Sequence, residues 1–309
     1  MKKIKVGVCK NIDIKIKKFS KNISLEYMST KINYDAIIVT PLTILDYKKI
    51  NKSKKIKLIF IMSLHLITKI NIKRLRKDIK VLYFDKKNNF SILNNITATP
   101  EFIFGLIILL TRNFLNLKKQ LKKNIWNPRQ AAELSSEKML SNSTLGIIGY
   151  GRIGKKLKSI ANSFGLKTLI YSKHNKSNMR LKKIAKNSDI VTINLSLNKK
   201  NEKFINKSFF KFMKLGSYFI NTSKGKIVDY NHLLKFLGKN ISGAALDVFE
   251  VEKSNDPDLI KLCKFAKKNR NLILTPHIAG STADSIIQLQ NRSLELIERS
   301  FKKRHRYRV

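Results

Sequence analysis

The sequence predicts an α/β protein of two domains, each built on a parallel sheet flanked by helices, the second of them doubly wound. Short apolar runs alternate with polar, helix-forming stretches through residues 1–98, and the alternation resumes from residue 144. The second series opens on an apolar strand that runs directly into Gly149, Gly151 and Gly154 and then into a helical pattern. The 309 residues, 43% of them hydrophobic, are enough for two separate cores.

In the first series, residues 4–8, 36–39, 57–61 and 79–84 read as strands, and residues 41–50 and 70–76 as helices. Residues 100–122 follow as one long helical pattern. Thr99 is its expected N-cap, with Pro100 in the first turn, where a missing N–H costs nothing. The apolar run 102–110 is too short to span a bilayer and reads as a buried core helix. A polar connection over 123–143 holds Trp126, the only tryptophan. In the second series, strands are expected at 145–148, 168–171, 190–195, 218–221, 243–246 and 272–275, with helices at 151–164 and 231–237 among those between. Residues 281–301 form a last helical pattern, apolar at Ile286, Leu289, Leu294 and Ile297, before a basic tail at 302–308. The expected domains are therefore 1–98 plus 282–309, and 99–281.

The 64 Lys and Arg against 20 Asp and Glu give a formal charge of +44. These basic residues are scattered through nearly every segment, mostly as Lys beside abundant Ile and Asn. That is a compositional bias. No aromatic-interleaved basic motif or nucleic-acid module accompanies it, which argues against a dedicated nucleic-acid function and leaves at most nonspecific affinity for polyanions. The field should still draw anionic ligands in a salt-dependent way. Cys9 and Cys263 match no metal-ligand spacing and suit a reducing, cytoplasmic setting. The basic residues 1–8 lack a following hydrophobic region, so no secretory signal is expected.

The chemistry begins at the glycine loop. Gly149 permits a tight turn, Gly151 lets the backbone approach a phosphate, and Gly154 lets helix and strand pack closely. With Arg152 and Ile153 at the start of the helix, this layout suits the pyrophosphate of a dinucleotide, NAD or NADP, lying at a helix N-terminus. NAD-preferring loops end the next strand with an acid that bonds the ribose hydroxyl. Here Ser172 occupies that position and Lys173 follows it, which leans toward the 2′-phosphate of NADP.

Four further segments are spaced along the chain: 98–101 (ATPE), 221–229 (NTSKGKIVD), 243–252 (GAALDVFEVE) and 275–282 (TPHIAGST). Together with GYGRIG at 149–154, in this order, they resemble the D-isomer-specific 2-hydroxyacid dehydrogenases over roughly residues 98–285. The resemblance implies two Rossmann-like domains. The first, flavodoxin-like, would bind substrate, and the second would bind NAD(P). It further implies hydride exchange between the cofactor and a small anionic D-2-hydroxyacid or 2-oxoacid, phosphoglycerate among the candidates, in a homodimer with no membrane role.

The family's catalytic histidine, glutamate and arginine fall on His277, Glu252 and Lys224. A histidine suits proton exchange with the hydroxyl, a glutamate orients it, and a cation grips the carboxylate. Asn221, Thr222, Ser223, Asp247 and Gly280 fall on cofactor-side positions, and no metal is implied. Three departures stand out. Lys224 replaces arginine, keeping the charge but losing the planar fork. Lys253 follows Glu252 where proline is usual. The stretch 62–71, where a glycine-containing substrate loop is expected, has no glycine, leaving Ser63, His65 and Lys69 as candidate contacts. The alternative that these departures raise is a dinucleotide-binding regulatory or corepressor-like protein with weak or lost catalysis.

Overall fold

The structure is a computed structural model. It describes residues 3–10, 12, 14, 20–30, 32–40, 43–62, 70–84, 90–129, 133, 138–172, 178–269 and 271–306. Two compact units emerge, one of residues 1–96 with 282–309 and one of residues 97–281.

The first unit holds a five-stranded sheet of β1 (Ile4–Val8), β2 (Ile23–Tyr27), β3 (Ala36–Val39), β4 (Leu58–Ile61) and β5 (Lys80–Tyr83). Every pairing is parallel, and the order is β2-β1-β3-β4-β5, the flavodoxin-like arrangement. β3 and β4 are buried at every residue, as continuous apolar runs with both faces covered must be. β2 was not expected. It is an edge strand that buries only Ile23, so its sequence, ISLEY, lacks the apolar run that marks its neighbours. The helix expected at 41–50 is α1 (Tyr47–Lys52), begun by Asp46, whose side chain accepts from Lys49 N at 3.1 Å. The helix expected at 70–76 is only a 3-10 turn, Ile72–Arg74, because Leu75 is already extended. A short α2 (Phe90–Asn95) follows, and the C-terminal helix Ala283–Arg306 adds Leu294 and Ile297 to the core of this unit.

The second unit is a six-stranded parallel sheet of β6 (Thr144–Ile148), β7 (Lys167–Tyr171), β8 (Ile190–Ile193), β9 (Ser217–Asn221), β10 (Ile241–Leu246) and β11 (Leu272–Leu274). The order β11-β10-β9-β8-β6-β7 reverses direction at β6, the switch point at which open α/β sheets gather ligands beyond their C-terminal edge. Alternation sorts the side chains: Leu145, Ile147, Ile190, Ile220 and Ala245 face one layer, while Ile148, Val191, Phe219, Ala244 and Leu246 face the other. The first layer is closed by α3 (Ala98–Thr111) and α5 (Arg152–Ser163). Among the described residues, the other is closed by α6 (Asn178–Asn187), α7 (Lys207–Lys211), α8 (Tyr230–Phe236) and α9 (Pro257–Lys268). The two parallel-sheet α/β architectures expected from the sequence are thus present.

The single helix expected over 100–122 is two. Asn113, left-handed at φ 48°, separates α3 from α4 (Phe114–Lys122). The helix also starts earlier: Thr97 is the N-cap position, not Thr99, and Pro100 is the third helical residue, whose N–H would have no partner inside the helix in any case. Leu93–Thr111 has the length and mean hydropathy, 1.5, of a membrane span. It comprises two helices, however, and α3 commits Ile103, Phe104, Leu106, Ile107 and Leu110 to the core of the second unit.

Candidate active site

Four loops at the C-terminal edge of the second sheet carry the candidate site residues. The first is the glycine turn after β6. Gly149 takes φ 107°, a left-handed value open to glycine, and its N–H donates to Tyr171 O at 2.9 Å. A Cβ there would strike the backbone of Asn194. A Cβ on Gly154 would strike the carbonyl of Gly149, so the close approach of α5 to the turn requires glycine at that position. Gly151 differs: a Cβ would meet nothing within 4 Å. It is the N-cap of α5, makes no side-chain cap, and is followed by a first turn without an acid. Open space at Gly151, on the positive end of a helix, is what a pyrophosphate needs, and the residues present fit a dinucleotide. Arg152, half-buried beside the turn, has its pKa lowered by desolvation. Ile153 packs its side chain toward the core of that layer.

The second and third loops follow β10 and β11. Asp247 is 1% exposed at the end of the β10 run. Its Oδ1 accepts from Thr275 Oγ1 at 2.6 Å and Ile278 N at 2.9 Å, and its Oδ2 from Ala279 N at 3.0 Å. Its carbonyl accepts from His277 N at 2.8 Å. One carboxylate therefore folds the 275–279 loop around itself. That clamp holds His277 at φ 56°, a conformation that costs a non-glycine residue about 1–2 kcal/mol. The imidazole projects outward and its Nδ1 lies 2.6 Å from Glu252 Oε2. Glu252 Oε1 accepts in turn from Phe249 N at 3.2 Å. Burial opposes ionisation of Glu252, but His277, the Phe249 N–H and the Lys224 charge together hold its pKa below the ordinary carboxylate value. A carboxylate there fixes the proton of the neutral imidazole on Nδ1 and leaves Nε2 to exchange protons with a ligand.

The fourth loop follows β9. Asn221 is fully buried, and its Oδ1 accepts from Ser223 N at 3.1 Å and Ser223 Oγ at 2.9 Å. Its Nδ2 donates to Lys224 O at 3.3 Å. This turn leaves Thr222 buried and Lys224 exposed. Gly225 lies so close to the backbone of Phe249 and Glu250 that any Cβ would overlap it, which seats the Lys224 loop on the Glu252 loop. Tyr230, the first residue of α8, donates its hydroxyl to Val248 O at 2.8 Å and accepts from Asn221 Nδ2 at 3.1 Å. Sequence reasoning missed it, since no spacing singles out a tyrosine at a helix start.

His277, Glu252 and Lys224 lie on loops at one sheet edge, with Asp247 and Asn221 supporting these loops. Gly280 lies against α3: a Cβ would meet Thr99 Oγ1 at 3.3 Å. Ser172, half-buried, directly follows β7. Lys173, Ser63, His65 and Lys69 lie outside the described residues.

Comparison with known proteins gives this arrangement a family. Similarity to D-3-phosphoglycerate dehydrogenase of Escherichia coli K12 is 32% identity over 202 residues, 62% of this chain and 47% of that protein. Glyoxylate reductase of Thermococcus litoralis is 31% identical over 201 residues, 61% of this chain and 59% of that protein. The chain spans about half the length of these curated relatives. The fold matches the D-lactate dehydrogenases of Lactobacillus jensenii with NAD+ (TM-score 0.76, 24% identity, 94% of this chain and 95% of that) and of Aquifex aeolicus with NAD and lactic acid (0.72, 23%, 96% of each). Residues 104–279 match the family described as D-isomer specific 2-hydroxyacid dehydrogenase, NAD binding domain. The chain belongs to that family, and its second unit carries the family's NAD-binding domain.

Proposed function

We propose that the chain is an NAD(P)-dependent oxidoreductase that interconverts a small D-2-hydroxyacid and its 2-oxoacid. The observation that carries this reading is the Glu252–His277 pair, 2.6 Å apart, at the same sheet edge as an open dinucleotide cradle. When bound, the dinucleotide supplies a hydride to the carbon bearing the oxygen, or takes one from it. His277 then delivers a proton from Nε2 to the carbonyl oxygen as it becomes a hydroxyl, or removes that proton in the reverse direction. Glu252 holds Nδ1–H and stabilises the imidazolium that donates the proton in the reducing direction and is formed in the reverse one. Lys224, exposed beside the pair, neutralises the substrate carboxylate as a point charge.

A phosphorylated acid of the phosphoglycerate type suits a lysine at this position and a chain of charge +44. In this reading the first unit binds substrate. Ser172, which offers no carboxylate against a 2′-phosphate, and Lys173 tilt the cofactor choice toward NADP. The apolar side chains exposed beyond α3, Phe114 at 51%, Leu121 at 52% and Trp126 at 81%, support a homodimer. Cys9 and Cys263, neither of them in a disulfide, suit the cytoplasm.

A panel of 2-oxoacids with NADH and NADPH, followed by loss of the reduced-nicotinamide absorbance, tests the reading. His277→Gln is expected to abolish turnover while leaving NADH binding intact. Turnover undiminished in this variant, or no oxoacid reduced by the unaltered chain, overturns the assignment.

A further inference from the structure

We propose that Tyr230 is a positioning residue that locks the loop presenting Lys224 to the loop presenting Glu252. The proposal deepens the dehydrogenase reading and rests on it. Tyr230 is 5% exposed and touches neither end of the chemistry, yet its hydroxyl is shared between the two loops. It donates to Val248 O, at the base of the 248–252 loop, and accepts from Asn221 Nδ2, which closes the 221–224 turn. Its ring stacks at a tilt on Phe249, with centroids 4.8 Å apart.

From this hydroxyl a continuous chain of hydrogen bonds runs both ways. Toward the cation it passes through Asn221 to the carbonyl of Lys224 at 3.3 Å. Toward the base it passes through Val248 to the next residue, Phe249, whose N–H holds Glu252 at 3.2 Å, and Glu252 holds His277. The two halves of the site have different jobs, one gripping a carboxylate and the other moving a proton, and a reaction requires both at a fixed separation. Backbone contact at Gly225 and the Asp247 N to Asn221 O hydrogen bond of 3.0 Å bring the loops together. Among the described contacts, the Tyr230 hydroxyl joins a side chain of one loop to the main chain of the other. Asn221 and Val248 are both buried, so water does not readily replace the lost oxygen.

The test is Tyr230→Phe, which removes one atom and keeps the ring. In the full-length chain, hydrogen exchange is expected to quicken at residues 221–225 and 248–252 together. With a 2-oxoacid that the unaltered chain reduces, kcat is expected to fall about tenfold and KM to rise by a similar factor, the effect of about one buried hydrogen bond on each loop. Exchange that quickens in neither loop or in only one, or kinetic constants unchanged despite a lower thermal midpoint, would reduce Tyr230 to core packing and overturn the proposal. If the unaltered chain reduces no oxoacid, the dehydrogenase reading falls, while the exchange measurement still decides the coupling.

Discussion

At the scale of single residues, Gly154 and Gly151 of the turn after β6 do separable things. Gly154→Ala forces a methyl into the carbonyl of Gly149, a backbone contact that cannot swing aside. The fold itself should lose about 1–3 kcal/mol, read as a lower thermal midpoint without any ligand. Gly151→Ala adds its methyl to open space, at a φ of −86° that alanine adopts freely. Its thermal midpoint should be unchanged while NADH affinity drops at least about tenfold, or 1.4 kcal/mol, because the methyl occupies the approach of the pyrophosphate. A Gly151→Ala protein that binds NADH normally would remove the phosphate from this turn. His277 shows the reverse economy. There the strained residue is the proposed proton carrier, and Asp247, with four hydrogen bonds into its loop, offsets the strain.

At the scale of elements, strands that end in working loops must also be fixed at their other ends. Asp189 does this for the second sheet. Its carboxylate accepts from Thr144 N at 2.8 Å, at the start of β6, and from Lys214 at 2.7 Å, while Lys138 approaches to 3.3 Å. Burial works against the charge, but these partners outweigh it and lower the pKa below the carboxyl's 3.8. A depressed folded pKa adds stability that is complete above the unfolded value and lost as pH falls through the folded one. Asp189→Asn should therefore cost about 1–2 kcal/mol near neutrality, a charged hydrogen bond discounted for partial exposure. The gap from the parent should close on acidification below pH 3.8. Thermal melts across that range decide it, and a gap that stays constant would assign the effect to shape instead of charge. All six strands of this sheet were legible as short apolar runs, including the edge strands β7 and β11, which bury one residue each. His277, Glu252, Lys224 and the glycines could be singled out as candidates because they sit in dense local motifs. β2 was not legible, because Ser24 and Glu26 interrupt its apolar residues. The break at Asn113 was hidden because asparagine tolerates both helical and left-handed backbone. Tyr230 and the clamp role of Asp247 were hidden because their partners lie on other strands, and only the sheet order brings them together.

At the scale of the whole molecule, the charge of +44 is spread over lysines with little local pairing of their own. Among the described residues, the ion pairs consume several of the few acids, Glu26, Asp46, Asp78, Asp189, Glu252 and Glu298 among them, so the surplus faces solvent as a long-range field. A field of one sign raises the encounter rate of an anion, and salt removes the effect. The proposed ligands, a dinucleotide and a 2-oxoacid, are both anions. The screening length shrinks from about 30 Å at ~0.01 M salt to about 8 Å at ~0.15 M. Stopped-flow association of NADH should therefore slow by about tenfold or more across that interval, at the low end of what steering achieves. Dissociation, governed by contacts in the cradle at Gly151 and Arg152, should change much less. NADPH, with its additional phosphate, should show the steeper salt dependence of the two. An association rate that is flat with salt for both would mean that the lysines are compositional background with no part in ligand capture.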